Sequence, residues 1–440
     1  MKRCVLVFIF IFVLVLAFAS TTVSGTISNS VTWNLAGSPY IISGGVSIYG
    51  SSHPVVTIDA GVIVKFNSGA GINIGHANTM NYKGGMIVNG TAENPVLFTA
   101  NSDTPSPGFW NYIRTNQFML QDNVVFQHAV LEYGGSSNGL IDVNGGNPMF
   151  YNCVFRYSAN YGLHHSVVAS AYVQDCSFES NLGYPANWNP SLLSGIGSGN
   201  SFSDNNPNRI LLREVTINQN SSMSNLGIPY EALGNLTVRD SSGPLLSIDN
   251  GVHILFRTGK SLYIGSTTSS AITGGINAAG VSFAAVDPDV GWSGIDVQSF
   301  TIASSLVSCT ISGVNSTPTA ALYVRCNNLL TIQNCILTQN NNYGLNCSNG
   351  ANFSLSGSTF SNNSRPINMY FSDVHKLGGG NSYMNNATQS IRCTGGGISV
   401  NTGFVRQQVP LNIISNVTVY DPDAPILTIP YGSVVEFSSG

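Results

Sequence analysis

Apolar residues in this chain recur at alternate positions in short runs, and turns rich in Gly, Asn and Ser divide the runs. Val56, Ile58, Val62, Val64 and Phe66 fall near every second position, the period of a strand with one buried face. Gly61 interrupts them where the chain must bend, and a positive φ is expected there. The segment therefore predicts strand, tight turn, strand.

This pattern repeats on two scales. Pro54 to Gly69 reads PVVTIDAGVIVKFNSG, Pro244 to Gly259 reads PLLSIDNGVHILFRTG and Pro425 to Gly440 reads PILTIPYGSVVEFSSG, at offsets of 190 and 181 residues. Pro39, Pro229 and Pro410 keep the same spacing upstream, and Phe98 with Trp110 is echoed by Phe283 with Trp292. Within each long unit, short runs beginning at Ala129, Cys153, Cys176 and Asn200 follow one another at 24, 23 and 24 residues. Those beginning at Cys309, Cys335, Ser358 and Asn381 follow at 26, 23 and 23. Second strands such as Tyr161-Gly-Leu and Tyr343-Gly-Leu run between them.

A period near 23 with two or three short strands predicts one coil of a parallel β-helix, an all-β solenoid in which only the next coil satisfies the open backbone edges. The Leu-x-x-Leu-x-Leu frame of leucine-rich repeats is missing. Roughly 17 coils at about 4.8 Å predict a rod about 80 Å long. The segments SPYIISGGVSIYG, VVTIDAGVIVKF, GTAENPVLFTA and GFWNYI resemble secreted bacterial right-handed parallel β-helix proteins, the pectate-lyase-like class that includes large repetitive surface proteins. The resemblance implies a right-handed solenoid over nearly all of the mature chain. It leaves activity open, because that class spans lyases, hydrolases, adhesins and stalks.

Composition narrows the picture. Charged residues make up only 8% of the chain and the net charge is −4, which speaks against a nucleic-acid partner. Hydrophobic residues at 43% are enough for a core. Lys2 and Arg3, the apolar run Val5 to Phe18 and the small residues of Ala17-Phe18-Ala19 read as a secretory signal peptide. The expected organisation is a signal peptide at 1–19, a first β-helix unit at 20–212, a second at 213–402, and the start of a third, cut short, at 403–440. Secretion to the extracellular space or cell surface follows, with no transmembrane segment in the mature chain.

Chemistry must be read down columns of residues one coil apart. Leu131, Phe155 and Phe178 should face inward, which turns Glu132, Arg156 and Glu179 outward as an acid–base–acid ladder. That ladder is either an exposed ion-pair stripe, a saccharide-binding stripe, or the acid and base of a lyase. A second column sets Asp142 against His165, with His164 adjacent and Trp188 on the next coil, a carboxylate-held general base beside a sugar platform. Asp287, Asp289 and Asp296 near Trp292 form the densest acidic group, and Asp-Pro with Gly there reads as a turn. No metal site is expected, and Ca²⁺ enters only if the protein is a lyase. The seven cysteines after the signal peptide have no CxxC spacing; Cys153/Cys176, Cys309/Cys335 and Cys326/Cys347 each fall about one coil apart and read as buried thiols, with disulfide-bridged pairs as the alternative that secretion permits. The leading expectation is a non-catalytic β-helix scaffold for adhesion or glycan binding. The alternative is a polysaccharide lyase or glycoside hydrolase working in a groove along one sheet.

Overall fold

The computed structural model describes residues 20–166, 169–315 and 320–438, so the signal-peptide reading lies outside the described residues. The chain forms a parallel β-solenoid of about 17 turns of roughly 24 residues. One turn shows the plan. Val55–Asp59 lies on a first face, Ile63–Phe66 on a second and Gly71–Ile74 on a third, before Gly85–Asn89 returns to the first face directly over Val55–Asp59. The bend between the first two strands uses Gly61 at φ 77°, and its repeat equivalents Gly251 and Gly432 take 80° and 77°. A Cβ is disfavoured in that left-handed region, which explains glycine at all three places.

The stacking matches the short-scale spacing residue for residue. Val130, Val154, Ser177 and Ser201 are in register, as are Thr310, Ile336, Thr359 and Ser382. Inward side chains form ladders: Phe155 stacks on Phe178 at 4.7 Å and Phe178 on Phe202 at 5.3 Å. Trp110 lies on Phe66 at 4.2 Å, and its repeat equivalent Trp292 lies on Phe256 at 4.4 Å. Each indole is satisfied by a backbone carbonyl, Glu132 O or Ser312 O, so both tryptophans bury a large apolar surface without leaving a donor unpaired.

Corners need special chemistry because backbone N–H groups there leave the sheet ladder. Single left-handed residues make many of them, among them Asn152, Asp175, Asn334 and Asn362. Side chains from the next turn then supply acceptors. Asn363 Oδ1 accepts from the Asn340 backbone N–H and side chain, while Asn363 itself donates to Asn386 Oδ1 and to Leu337 O. Replacing Asn363 by Ala strips buried donors above it of their acceptor and is expected to cost about 2 kcal/mol, read as a lower urea midpoint with an unchanged slope.

The column Ala129, Cys153, Cys176, Asn200 does the same task at the neighbouring corner. Cys153 N–H points at Cys176 Sγ (3.4 Å) and Cys176 N–H at Asn200 Oδ1 (3.0 Å). All seven cysteines among the described residues are buried and free. Cys326 departs from its expected column: Cys347 stacks on Val324, and Met369 pairs in register with Cys393.

The long repeat is not a whole number of turns. Tyr230–Ala232 is the equivalent of Tyr40–Ile42 on the second face, yet it stacks on Ile210–Leu212, which belongs to the third-face column. The same step recurs where Leu411–Ile413 stacks on Ile391–Thr394. Both steps use a short turn, pairing Ile210 with Tyr230 and Ile391 with Leu411. Each unit therefore restarts one face further round, and at each step the third-face ladder of the preceding unit runs on while its first-face sheet ends.

Candidate functional site

The outward side of the third face carries the densest polar chemistry, because the frame shift brings parts of both units into one column. Strand alternation turns Ile141 and Leu163 into the core, so Asp142 and His164 both point out and stand in register. Asp142 Oδ1 meets His164 Nδ1 at 2.8 Å, and Oδ2 accepts from Arg114 Nε at 2.7 Å and Asn138 Nδ2 at 3.0 Å. Burial alone would raise this carboxyl. The hydrogen bonds from His164 and Asn138, with the Arg114 guanidinium, outweigh burial and hold it below its ordinary value. The Arg114 guanidinium lies 3.9 Å from the centre of the Tyr112 ring.

His165 is not the partner of Asp142. It stacks on Val143, only 1% exposed, with its ring inside the core against Trp188 at 4.2 Å. Nδ1 donates to Asn187 O at 2.8 Å and Nε2 accepts from Ala171 N–H at 3.1 Å. Burial pushes its pKa down to about 3. Trp188 is itself 1% exposed and donates to Leu192 O, so it presents no platform at the surface. The Tyr161-Gly-Leu strand carries the signal that separates the two histidines, since an inward Leu163 forces His164 outward.

The ladder Glu132, Arg156, Glu179 is in register as expected. Glu132, however, is largely buried. It takes a forked pair of bonds from Arg156 at 2.9 and 2.7 Å and a hydroxyl bond from Thr99 at 2.8 Å. Tyr133 and Tyr157 stack beside this pair at 5.2 Å. Asp287 makes the expected turn, accepting from Asp289 N–H, while Asp296 pairs with Arg325 and Trp292 is fully buried.

Four turns beyond Asp142 on the same column stands Glu231, which sequence reading overlooked. It is 3% exposed and accepts from Tyr184 Oη (2.9 Å), Arg257 Nε (2.8 Å) and Arg209 Nη1 (3.2 Å). Arg257 Nη2 also reaches Tyr184 Oη at 3.0 Å. Tyr184 stacks on Tyr161 at 5.8 Å, and Tyr161 lies 5.4 Å from His164. An unbroken series of contacts thus joins Arg114, Asp142, His164, Tyr161, Tyr184 and Glu231 along the rod. Beside Glu231 opens a cleft of about 620 Å³, lined by Arg209, Arg257 and Lys260 against Glu231 and Asp287. Three cations against two acids leave it positive on a chain of net charge −4.

Among the described residues no three His, Cys, Asp or Glu side chains are gathered as a metal site, and no helix is long and apolar enough to cross a membrane. Compared with family models, with curated proteins and with solved structures, the chain matches none.

Proposed function

We propose that the protein is a secreted β-solenoid scaffold, of the right-handed pectate-lyase-like type, that binds glycans on its third face without turning them over. The observation that carries this reading is the cleft at Glu231. Stacked Tyr161 and Tyr184 offer flat apolar rings, and Arg209 and Arg257 keep 29% and 40% of their side-chain surface exposed while anchored at one end by Glu231. Such pre-anchored guanidinium groups suit a carboxylate or sulfate on a sugar chain. The carboxyls also favour binding over hydrolysis: Asp142 and Glu231 are each committed to several donors, and neither forms the separated acid and base pair a glycosidase needs.

The lyase alternative rests on His164, held by Asp142 and 19% exposed, as a base at the surface. One experiment separates the two readings. Polygalacturonate in an affinity gel is expected to retard the protein, and Lys260→Ala with Arg257→Gln is expected to weaken retardation about tenfold. Incubation with the same polymer, with and without Ca²⁺, is expected to yield no unsaturated product and no new reducing ends. Product formation abolished by His164→Ala would replace the scaffold with the lyase.

A further inference from the structure

We infer that the first face carries a second, separate glycan site, built for a neutral sugar chain. A groove of about 680 Å³ runs along this face over Tyr151 and Tyr172. It is continued at one end by a cavity of about 580 Å³ that shares Gln121 and Asn147 with it, and at the other by one of about 300 Å³ that shares Ser194. The three cavities adjoin through these shared residues, and none of their lining residues belongs to the third-face cleft.

Their lining differs in kind from the Glu231 cleft. Across all three cavities Asp122 is the single charged residue, and it sits exposed on a short turn at the rim. The rest is uncharged: amides, hydroxyls and the two tyrosine rings, together with the apolar Ala77, Met149, Ala171 and Leu245 and three glycines. Met149 stands in register with Tyr172 and Tyr151 with Gln174, so strand alternation turns this whole set outward while Phe150 and Val173 fill the core. The Tyr151 and Tyr172 rings are 5.8 Å apart on successive turns, a separation close to the length of one pyranose in an extended chain. Tyr172 Oη is fixed on Gln174 Oε1 at 2.8 Å and Tyr151 Oη lies against Met149 Sδ, so the rings are held in place before any ligand arrives. Preorganised rings lose little freedom on binding.

The chemistry selects the occupant. An anionic polymer finds no cation here. A peptide that adds by strand pairing needs an open sheet edge, whereas the groove lies over outward side chains, and the last strand of this sheet, Tyr172–Gln174, is covered by the bridge from Val173 to Ile196 and the bond from Gly197 N–H to Val173 O. An uncharged sugar offers apolar C–H faces for the rings and hydroxyls for Gln121, Asn147, Asn144 and Ser194.

The full chain should be run in affinity gels containing hydroxyethyl cellulose, galactomannan or xylan, with polygalacturonate alongside. At least one neutral polymer is expected to retard it, and Tyr151→Ala with Tyr172→Ala to weaken that retardation about tenfold or more. Gln121→Ala with Asn147→Ala, both exposed and outside the core, should weaken it about threefold without touching the rings. Arg257→Gln should leave the neutral polymers unaffected, which separates this site from the third-face cleft. The inference is overturned if none of the three neutral polymers retards the wild-type chain. It is equally overturned if both double variants, with circular dichroism and urea midpoint unchanged, migrate as wild type does.

Discussion

Replacing Glu231 by Ala is expected to destabilise the solenoid by about 3–4 kcal/mol, the usual cost of removing one partner from a buried ion pair. The carboxylate is almost wholly enclosed and satisfies three donors from three turns: Tyr184, Arg209 and Arg257. Its loss leaves two guanidinium groups facing each other across the cleft. The partial exposure of both arginines lets water absorb part of the repulsion, which keeps the effect from exceeding this range. Adding Arg257→Met to Glu231→Ala removes one stranded charge and should recover about 1–2 kcal/mol. The measurement is a urea midpoint for wild type, single and double variants. Equal midpoints for wild type and Glu231→Ala would show that the pair is a solvated surface feature, and the anchoring of Arg257 for a ligand would fail with it.

Glu231 also shows where reading the chain in columns succeeds and where it stops. Within a unit, turn length is nearly constant, so residues 23 or 24 apart become neighbours and the Phe155–Phe178–Phe202 ladder, the Glu132–Arg156 pair and the cysteine column follow from spacing alone. Small errors in turn length are costly, however. Asp142 to His164 is a turn of 22 residues, and counting 23 selects His165, which a two-residue alternation sends to the opposite side of the sheet. Across the unit boundary the rule fails outright. The 20-residue turn from Ile210 to Tyr230 moves the second unit on by one face. Glu231 then joins a column whose earlier members are Asp142 and His164, although its repeat equivalent Ile41 lies on the second face. Tyr184 and Arg257 are 73 residues apart yet bonded. No single period brings them together; the short turn at the boundary does.

His165 is expected to make folding acid-sensitive from about pH 6.5 downward, starting above the range where carboxylates titrate. Burial holds its pKa at about 3, against about 6.5 for the free side chain. Above pH 6.5 the imidazole is neutral in both folded and unfolded chains and pH has no hold on it. As pH falls below 6.5 the unfolded chain takes up a proton that the folded chain refuses until about pH 3, so the folded state loses stability throughout that window and the loss levels off below it. The full difference is on the order of 5 kcal/mol. The geometry explains the refusal: Nε2 must stay unprotonated to accept from Ala171 N–H, Arg213 donates to the His165 backbone carbonyl, and Trp188 covers the ring. His165→Gln keeps polar atoms in the site but cannot titrate. It should be less stable than wild type at pH 7 by about 1–2 kcal/mol, and the gap should close or reverse by pH 4. Urea midpoints of both proteins at pH 7, 5.5 and 4 test this directly, and parallel lines would mean that His165 does not remain neutral in the folded core.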